Sequence, residues 1–280
     1  MRFVIFGACV NPMMRICCWN VNSIKARLDH VLQYLSHYQP DILMLQELKT
    51  TEDNFPFLEV QSLGYKAYIV GQKTYNGVAI ITKRDIEVEQ TALSGGEHDE
   101  QARFIQILDK ETHWLFINIY LPNGNPTIEE NGQLHEKFLY KLAWMERLYC
   151  HLKSLKEADI PFLIAGDWNV APYDSDAFDA KKWQDDALLH VQSRDAYFRI
   201  LHLGLTDSLK MVEPKVGYTW WDYRNAGFKQ DHGLRIDHIL LSPAIANHLI
   251  DAGIDKDMRA LEKPSDHAPI WVTLSSTSTK

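Results

Sequence analysis

The 280-residue chain lacks the features that would place it in a membrane or in a fibre. No apolar run reaches the length of about 18 residues that a membrane-spanning helix needs, which excludes such a helix. Internal repeats, low-complexity tracts and long linkers are also missing from the sequence. Its hydrophobic fraction of 46% and charged fraction of 24% are typical of a globular protein. We therefore expect a sizeable buried core.

Cysteine is scarce, and basic residues are outnumbered by acidic ones. The four cysteines are Cys9, Cys17, Cys18 and Cys150. They form no CxxC pair and no disulfide framework, which indicates reduced thiols in a cytoplasmic protein. The 29 Lys and Arg residues against 37 Asp and Glu residues give a formal net charge of −8. A protein that coats DNA nonspecifically is usually basic, so any nucleic-acid site in this chain must be local.

The amino-terminal segment raises the question of a targeting signal. Residues 2–10 are apolar after a single Arg, but they are few and no clear cleavage site follows them. We expect residues 1–13 to be a non-essential extension and residues 275–280 to be a flexible tail. With no domain boundary in sight, residues 14–274 are expected to form a single catalytic domain.

Apolar periodicity predicts more strands than helices. Helical spacing extends from about Ile24 to His37, and again over a long amphipathic segment from Leu134 to Leu155. Shorter apolar runs predict strands at residues 15–21, 42–45, 78–81, 104–108, 114–120, 162–165, 236–241 and 268–274. Because several strands follow one another without a helix between them, we expect packed sheets with helices outside.

Acidic and amide side chains stand in or at the ends of these apolar strands. They are Asn20, Asn22, Glu47, Asp167, Asn169, Asp237 and Asp266, and His267 follows the last of them. A carboxylate in such a place loses hydration, which is costly unless a cation or a hydrogen-bond donor pairs with it. A lone Asp after Gly is usually a turn or cap residue, but several together favour one shared site.

The ligand chemistry indicates the kind of metal. Carboxylate and amide oxygens without thiolates suit a hard cation, Mg²⁺ or Mn²⁺, whereas a zinc site would need clustered His or Cys. Because Mg²⁺ works with substrate phosphates, phosphoester chemistry is the leading hypothesis. His267 with Asp266 and Asp237 is also typical of an oriented imidazole. A serine-hydrolase triad would need a nucleophile elbow such as GxSxG, and the sequence has none.

Seven short stretches carry a resemblance to a known family. They are WNVN at residues 19–22, LQE at 45–47, YLPN at 120–123, GDWN at 166–169, YTWWDYR at 218–224, LRID at 234–237 and SDH at 265–267. In this order they resemble the exonuclease III family of apurinic/apyrimidinic (AP) endonucleases, within the endonuclease–exonuclease–phosphatase superfamily. The resemblance covers the chain from about Met14 to Leu274. It implies an α/β fold, a four-layered sandwich of two packed β-sheets flanked by helices.

The resemblance divides the matching polar residues between a metal and a phosphate. The metal ligands would be Glu47, as the principal one, with Asp266, Asn20 and Asn22 nearby. The residues on the scissile phosphate would be Asn169, His267, Tyr120 and Asn123. Asp167 would position or deprotonate the attacking water, and Asp237 would hold His267. These roles suit a transition state that gathers negative charge on the phosphate.

The resemblance also implies a substrate pocket. Trp220 with Leu234 and Ile236 would line a space for a flipped-out baseless sugar, where shape gives selectivity. Of the pair Trp220-Trp221, one is expected to pack in the core. Two cations, Arg224 and Arg235, are candidates for the DNA backbone, with an ordinary surface ion pair as the alternative.

The implied function is that of a divalent-metal-dependent DNA repair phosphodiesterase. It would use Mg²⁺, with Mn²⁺ as a substitute, to cut the backbone 5′ to abasic sites. Its partner would be double-stranded DNA with abasic or 3′-blocked lesions, and it would act as a cytoplasmic monomer, nucleoid-associated if bacterial. Two departures, Asn22 in place of Asp and the loop 124–132, leave the balance with 3′–5′ exonuclease and 3′-phosphatase activities open.

Two alternative functions remain on the same scaffold. One is a phosphodiesterase or phosphatase acting on lipid or inositol phosphates, but those branches usually lack the WWDYR stretch. The other is a catalytically inactive RNA-binding regulator, which predicts broken catalytic positions. The acidic and histidine residues of the predicted site are all present, so an active enzyme is favoured.

Overall fold

The computed structural model describes residues 13–275. The predicted extension and the predicted tail therefore lie outside the described residues, except for Met13 and Ser275. These two residues are the first of the opening strand and the last of the closing strand.

Within residues 13–275, the strands form two six-stranded sheets. The first sheet consists of β1 (Met13–Asn20), β2 (Ile42–Gln46), β3 (Lys66–Val70), β4 (Val78–Thr82), β11 (Leu249–Ile254) and β12 (Ile270–Ser275), in the order β11-β12-β1-β2-β4-β3. The second consists of β5 (Ile86–Gln90), β6 (Phe104–Asp109), β7 (Leu115–Tyr120), β8 (Phe162–Asp167), β9 (Thr206–Asp207) and β10 (Asp237–Leu241), in the order β5-β6-β7-β8-β10-β9.

The helices lie between these strands in the chain. The α-helices are α1 (Leu28–Tyr38), α2 (Phe57–Ser62), α3 (Glu136–Glu157), α4 (Val191–Leu201), α5 (Ser208–Val212) and α6 (Pro243–Ala246). Short 3₁₀ turns cover Glu52–Asn54, Asp174–Asp176, Arg224–Ala226 and Lys256–Ala260. None of the helices described within residues 13–275 has the length and apolar character that crossing a membrane requires.

Strand alternation places apolar residues on both faces of each sheet, where three of the four apolar clusters of the described residues lie. Cys18 faces the core between the two sheets, whereas its neighbour Cys17 faces the core between the first sheet and α1. Side chains of the second sheet pack with Trp144 of α3 and Tyr197 of α4 in a third core. The order is thus helix, sheet, sheet and helices, and the predicted four-layered α/β sandwich is confirmed.

Helix α1 begins four residues later than predicted, at Leu28 instead of Ile24. The residues before it are in a turn, since Ser23 has a φ of 92°. The backbone N–H groups of Ser23 and Ile24 donate to the carbonyls of Glu47 and Leu48. These bonds hold the turn against the segment that follows β2. Because residues 23 and 24 are fixed there in a non-helical conformation, the helix begins only after them.

Candidate active site

The strand ends bring the polar residues of the two sheets to one cleft. Asn20 ends β1 beside Gln46 at the end of the parallel strand β2. Tyr120 ends β7 beside Asp167 at the end of the parallel strand β8. Asp237 begins the antiparallel strand β10 in register with Asp167. Since parallel neighbours end at the same edge of a sheet, chain topology alone gathers these side chains.

Glu47, Asp167 and His267 form the centre of the site. One ligand atom from each lies within 4.8 Å of the other two. The buried Asn20 Nδ2 bridges the two carboxylates, donating to Glu47 Oε1 at 2.8 Å and to Asp167 Oδ2 at 2.9 Å. The Tyr120 hydroxyl donates to the same Glu47 oxygen at 2.9 Å. Residues separated by more than 200 positions in the sequence therefore converge as predicted.

Asp266 and Asn22, two of the other predicted metal ligands, are hydrogen-bonded to each other. Asn22 Nδ2 donates to Asp266 Oδ1 at 3.0 Å, and Trp220 Nε1 donates to Asp266 Oδ2 at 3.0 Å. Burial alone would raise the pKa of Asp266, but the charge of His267 and these two hydrogen bonds lower it. Asp266 is therefore an ionised carboxylate at neutral pH.

Lys49 also lies in the site, although no sequence motif indicated it. Its ammonium lies 2.9 Å from Glu47 Oε2 and donates to Asn22 Oδ1 at 2.5 Å. It stands only two positions after Glu47, but both residues have a φ of 52°, which ordinary strand alternation does not foresee. The position of the Lys49 ammonium beside the Glu47 carboxylate and the Asn22 side-chain oxygen indicates that these oxygens attract a positive charge. The carboxylate oxygens of Glu47 and Asp266 fit a hard divalent cation, whereas Asn20 Oδ1 already accepts the backbone N–H of Asn22 at 3.0 Å.

His267 lies between two carboxylates. Its Nδ1 is 2.9 Å from Asp237 Oδ2, and its Nε2 is 3.7 Å from Asp167 Oδ2, with all three side chains buried. Burial alone would lower the pKa of His267, but Asp237 and Asp167 raise it well above its usual range. Burial, together with the charges of Asp237 and Glu47, in turn raises the pKa of Asp167. The site therefore holds an imidazolium beside a carboxyl group that can accept a proton.

The two predicted phosphate-binding asparagines touch each other. Asn123 Nδ2 donates to Asn169 Oδ1 at 3.1 Å, and Asn169 Nδ2 donates to the Leu121 carbonyl at 2.9 Å. The backbone N–H of Asn169 donates to Asp167 Oδ1 at 2.9 Å. Asn123 is exposed and Asn169 is buried, so the pair reaches from the floor of the cleft to its rim.

One cavity of the described residues is lined by Trp220 together with residues that the sequence motifs did not indicate. This cavity of about 270 Å³ is lined by Trp220 and by Trp183, whose rings meet edge to face at 5.9 Å. Leu234 and Ile236 are only 1% and 2% exposed and pack behind Trp220, so contrary to the prediction they are not among the residues that line this cavity. Trp221 is fully buried, so the expectation that one of the two tryptophans belongs to the core is confirmed.

One predicted DNA contact is wrong. Arg235 is completely buried, and its guanidinium makes paired hydrogen bonds of 3.0 Å to Asp176 and one of 2.7 Å to Asp207. A side chain fixed in this way cannot reach a phosphate on the surface. Arg224, by contrast, has an exposed side chain paired with Asp222 at the rim of the cavity, where the predicted backbone contact stays a prediction.

A family model described as the endonuclease/exonuclease/phosphatase family matches residues 17–267. The chain belongs to this family. Exodeoxyribonuclease III of Haemophilus influenzae is 36% identical over 92% of this chain and 98% of its own length. The relationship confirms the predicted class of enzyme, a hydrolase of the nuclease type, in a metal-dependent family.

Solved structures of relatives share the fold. A 3′-phosphatase called NExo from Neisseria, bound to a product DNA hairpin, is 40% identical with a TM-score of 0.84, covering 92% of this chain and 98% of that one. An AP endonuclease from Archaeoglobus fulgidus is 35% identical with a TM-score of 0.85, covering 93% and 99%. Two proteins that are similarly related to this chain are thus named for different reactions, one as a 3′-phosphatase and the other as an AP endonuclease.

Proposed function

We propose that the protein is a divalent-metal-dependent DNA repair phosphodiesterase. It hydrolyses the backbone of double-stranded DNA 5′ to abasic sites and removes 3′-terminal nucleotides and 3′-phosphates. It acts as a cytoplasmic monomer through one catalytic domain, residues 14–274. The observation that supports this most directly is the convergence of Glu47, Asp167 and His267 within 4.8 Å at one cleft. The nuclease relatives point to the same reaction class.

In this proposal Asp167 acts on the attacking water. Its Oδ2 faces His267 and accepts from Asn20 Nδ2, and its Oδ1 accepts the Asn169 N–H. Three neighbours therefore hold the carboxyl group. Because burial and the nearby carboxylates raise its pKa, Asp167 can orient the water and accept a proton from it.

The donors around the cleft would stabilise the negative charge that grows on the phosphate. His267 offers an imidazolium N–H, while Asn169 and Asn123 offer neutral amides. Burial and the charges of Glu47 and Asp167 raise the pKa of Tyr120 well above its usual range, so its hydroxyl remains a donor. Donors fixed in this way need no reorganisation as the charge develops.

The metal would be Mg²⁺, with Mn²⁺ able to replace it. Glu47 and Asp266 are the carboxylates that would hold it, with Asn20 and Asn22 beside them. When bound, such a cation acts as a Lewis acid on the phosphoryl oxygen and neutralises part of its charge.

Glu47→Gln should raise the Mg²⁺ concentration needed for half-maximal cleavage by about tenfold or more. The amide keeps the shape of the side chain but removes the charge that a hard cation requires. The measurement is a Mg²⁺ titration of cleavage at saturating DNA. Glu59→Gln, at an exposed position of α2, is the control. An unchanged titration for Glu47→Gln would contradict the ligand role.

Trp220→Ala should reduce the preference for an abasic duplex over 3′-end digestion by about tenfold. The indole forms a wall of the cavity, and loss of a pocket wall typically weakens discrimination by this order. The measurement is the ratio of kcat/KM for the two substrates. Trp220→Phe separates two effects, since it keeps an apolar wall but loses the bond from Nε1 to Asp266. Equal losses on both substrates would contradict the pocket role and leave Trp220 only as a support for Asp266 or for the fold.

One assay tests the proposed function as a whole. Labelled duplexes would carry a single tetrahydrofuran abasic analogue, a 3′-phosphate or an unmodified recessed 3′ end, each with Mg²⁺ and with chelator. We expect a single cut 5′ to the analogue and release from the 3′ ends, both of which the chelator abolishes. Full activity in chelator would overturn the metal dependence, and no cleavage of any duplex would overturn the DNA substrate.

A further inference from the structure

Lys141 is a charged side chain at the centre of the fold. It belongs to the apolar face of α3, between Phe138 and Trp144, and is completely buried. Its ammonium donates to three backbone carbonyls, those of Asn123 at 3.1 Å, Asn169 at 2.7 Å and Ala187 at 2.9 Å. Burying a lysine is costly, and such residues are rarely found without a carboxylate partner.

An ammonium has three N–H groups, and in the described chain each of them donates to one of these carbonyls. Burial lowers the pKa of Lys141 to about 7, which reflects the lack of a directly bonded carboxylate. A neutral amine has only two N–H groups and would leave one of the three carbonyls unpaired. The arrangement of the three carbonyls therefore fits the protonated ammonium of Lys141 better than the neutral amine.

Two of these carbonyls belong to the asparagines that meet at the phosphate side of the cleft. Asn169 has a φ of 48°, a left-handed conformation that asparagine adopts more readily than most residues, and Lys141 donates to its carbonyl at 2.7 Å. Gly124, next to Asn123, packs so closely that a Cβ there would lie 2.6 Å from Lys141 Cδ. Both segments therefore take their position from one side chain of α3.

We propose that Lys141 is a positioning residue that sets the distance and orientation of Asn123 and Asn169 in the cleft. This inference rests on the proposed function, because it takes these two amides to bind the scissile phosphate. Without the ammonium, the carbonyl of Asn169 loses its partner and the 123–125 loop loses its attachment to α3. The amides then meet the phosphate less often in the correct geometry, while the carboxylates of Glu47 and Asp167 keep their own contacts.

Lys141→Met tests this inference through a double-mutant cycle with Asn169→Ala. Both single variants and the double variant would cleave the tetrahydrofuran duplex in Mg²⁺, with kcat and KM measured separately. We expect Lys141→Met to lower kcat by about 10- to 100-fold, since it disturbs donors whose removal costs about 10²- to 10³-fold. In the Asn169→Ala background the same change should cost at least about threefold less than in the wild-type protein, because one of its two targets is already absent while Asn123 remains.

The cycle distinguishes positioning from simple loss of folded protein. A structural defect would lower activity by the same factor in both backgrounds, and that result would overturn the inference, as would wild-type kcat in a folded Lys141→Met. Lys153→Met, which removes an exposed charge from the same helix, is the matched control. If Lys141→Met does not fold, Lys141→Gln replaces it, because its amide offers two donors, and the cycle is judged by the same factors.

The single variants also separate this inference from the proposed function. If Asn169→Ala and Asn123→Ala each retain full activity, the phosphate-binding roles fail, and the inference falls with them. If both lose activity while Lys141→Met does not, only the role of Lys141 is overturned.

Discussion

Asp167→Asn should lower kcat for cleavage 5′ to an abasic analogue by about 10³-fold or more while DNA binding is retained. The amide cannot accept a proton from water, and loss of a positioned base typically costs 10²- to 10⁴-fold. Both Asp167 oxygens accept hydrogen bonds, from Asn20 and from the Asn169 N–H. An amide can keep only one of these, so orientation of the water suffers in addition.

Binding should survive this change because Asp167 is a negative group in a cleft that must hold a phosphate. Removing its charge reduces repulsion of the substrate, so Kd measured in Ca²⁺ or in chelator should stay equal or fall slightly. Single-turnover cleavage and fluorescence anisotropy on the same duplex give the two quantities. Asp251→Asn, on the exposed edge strand β11, is the control. Cleavage by Asp167→Asn within about tenfold of wild type would remove Asp167 from the reaction.

The centre of the site could be predicted because each of its residues follows a strong local signal. Glu47 comes directly after the buried strand Ile42–Gln46, and Asp167 is the last residue of a strand that is buried throughout. An apolar strand ending in a carboxylate is visible in sequence alone, and the seven motifs fixed which of these ends belong together. The convergence within 4.8 Å then follows from the sheet topology.

Arg235 shows where this kind of reasoning fails. It stands between two apolar residues, Leu234 and Ile236, and a cation in such a place can either reach out to a ligand or pair internally. Its partners Asp176 and Asp207 are 59 and 28 positions away, and neither belongs to a motif shared with it. Whether Arg235 reaches a ligand or pairs internally depends on which distant carboxylates pack beside it, and the neighbouring residues in the sequence do not indicate this.

Helix α3 gives a second example. Its apolar spacing predicts that Leu142 belongs to the buried stripe, yet Leu142 is half-buried and Lys141 is completely buried. Three carbonyls from distant segments favour the lysine there, and they outweigh its lower hydrophobicity. Periodicity identified the helix correctly but could not show which of two adjacent residues the core would select.

The elements that the sequence did not predict lie at edges and in polar stretches. Strand β5 has three exposed residues among its five, and β11 is an edge strand without a fully buried residue. Helix α4 begins at the exposed Val191 and buries Ser193 beside Tyr197 and Ile200. Periods of two or of 3.6 are weak where burial is partial, because hydrophobicity then no longer marks the inner face.

Asp237→Asn should lower kcat/KM by about 10²-fold at pH 6, and the deficit should grow as the pH rises. In the wild-type protein Asp237 and Asp167 raise the pKa of His267, so the imidazolium persists through the neutral range. Without the charge of Asp237, burial dominates and the pKa of His267 falls. The ring then loses its proton at a lower pH, so fewer molecules keep the cationic donor at pH 8 than at pH 6.

The measurement is the ratio of wild-type to variant kcat/KM on the abasic duplex between pH 6 and pH 8. Asp255→Asn is the matched control, since Asp255 is a largely buried carboxylate that accepts from Tyr34 at 2.7 Å on the far side of the first sheet. Its ratio should not change with pH. A constant ratio for Asp237→Asn would mean that Asp237 only orients the ring, because loss of orientation is the same at every pH whereas loss of the imidazolium is not.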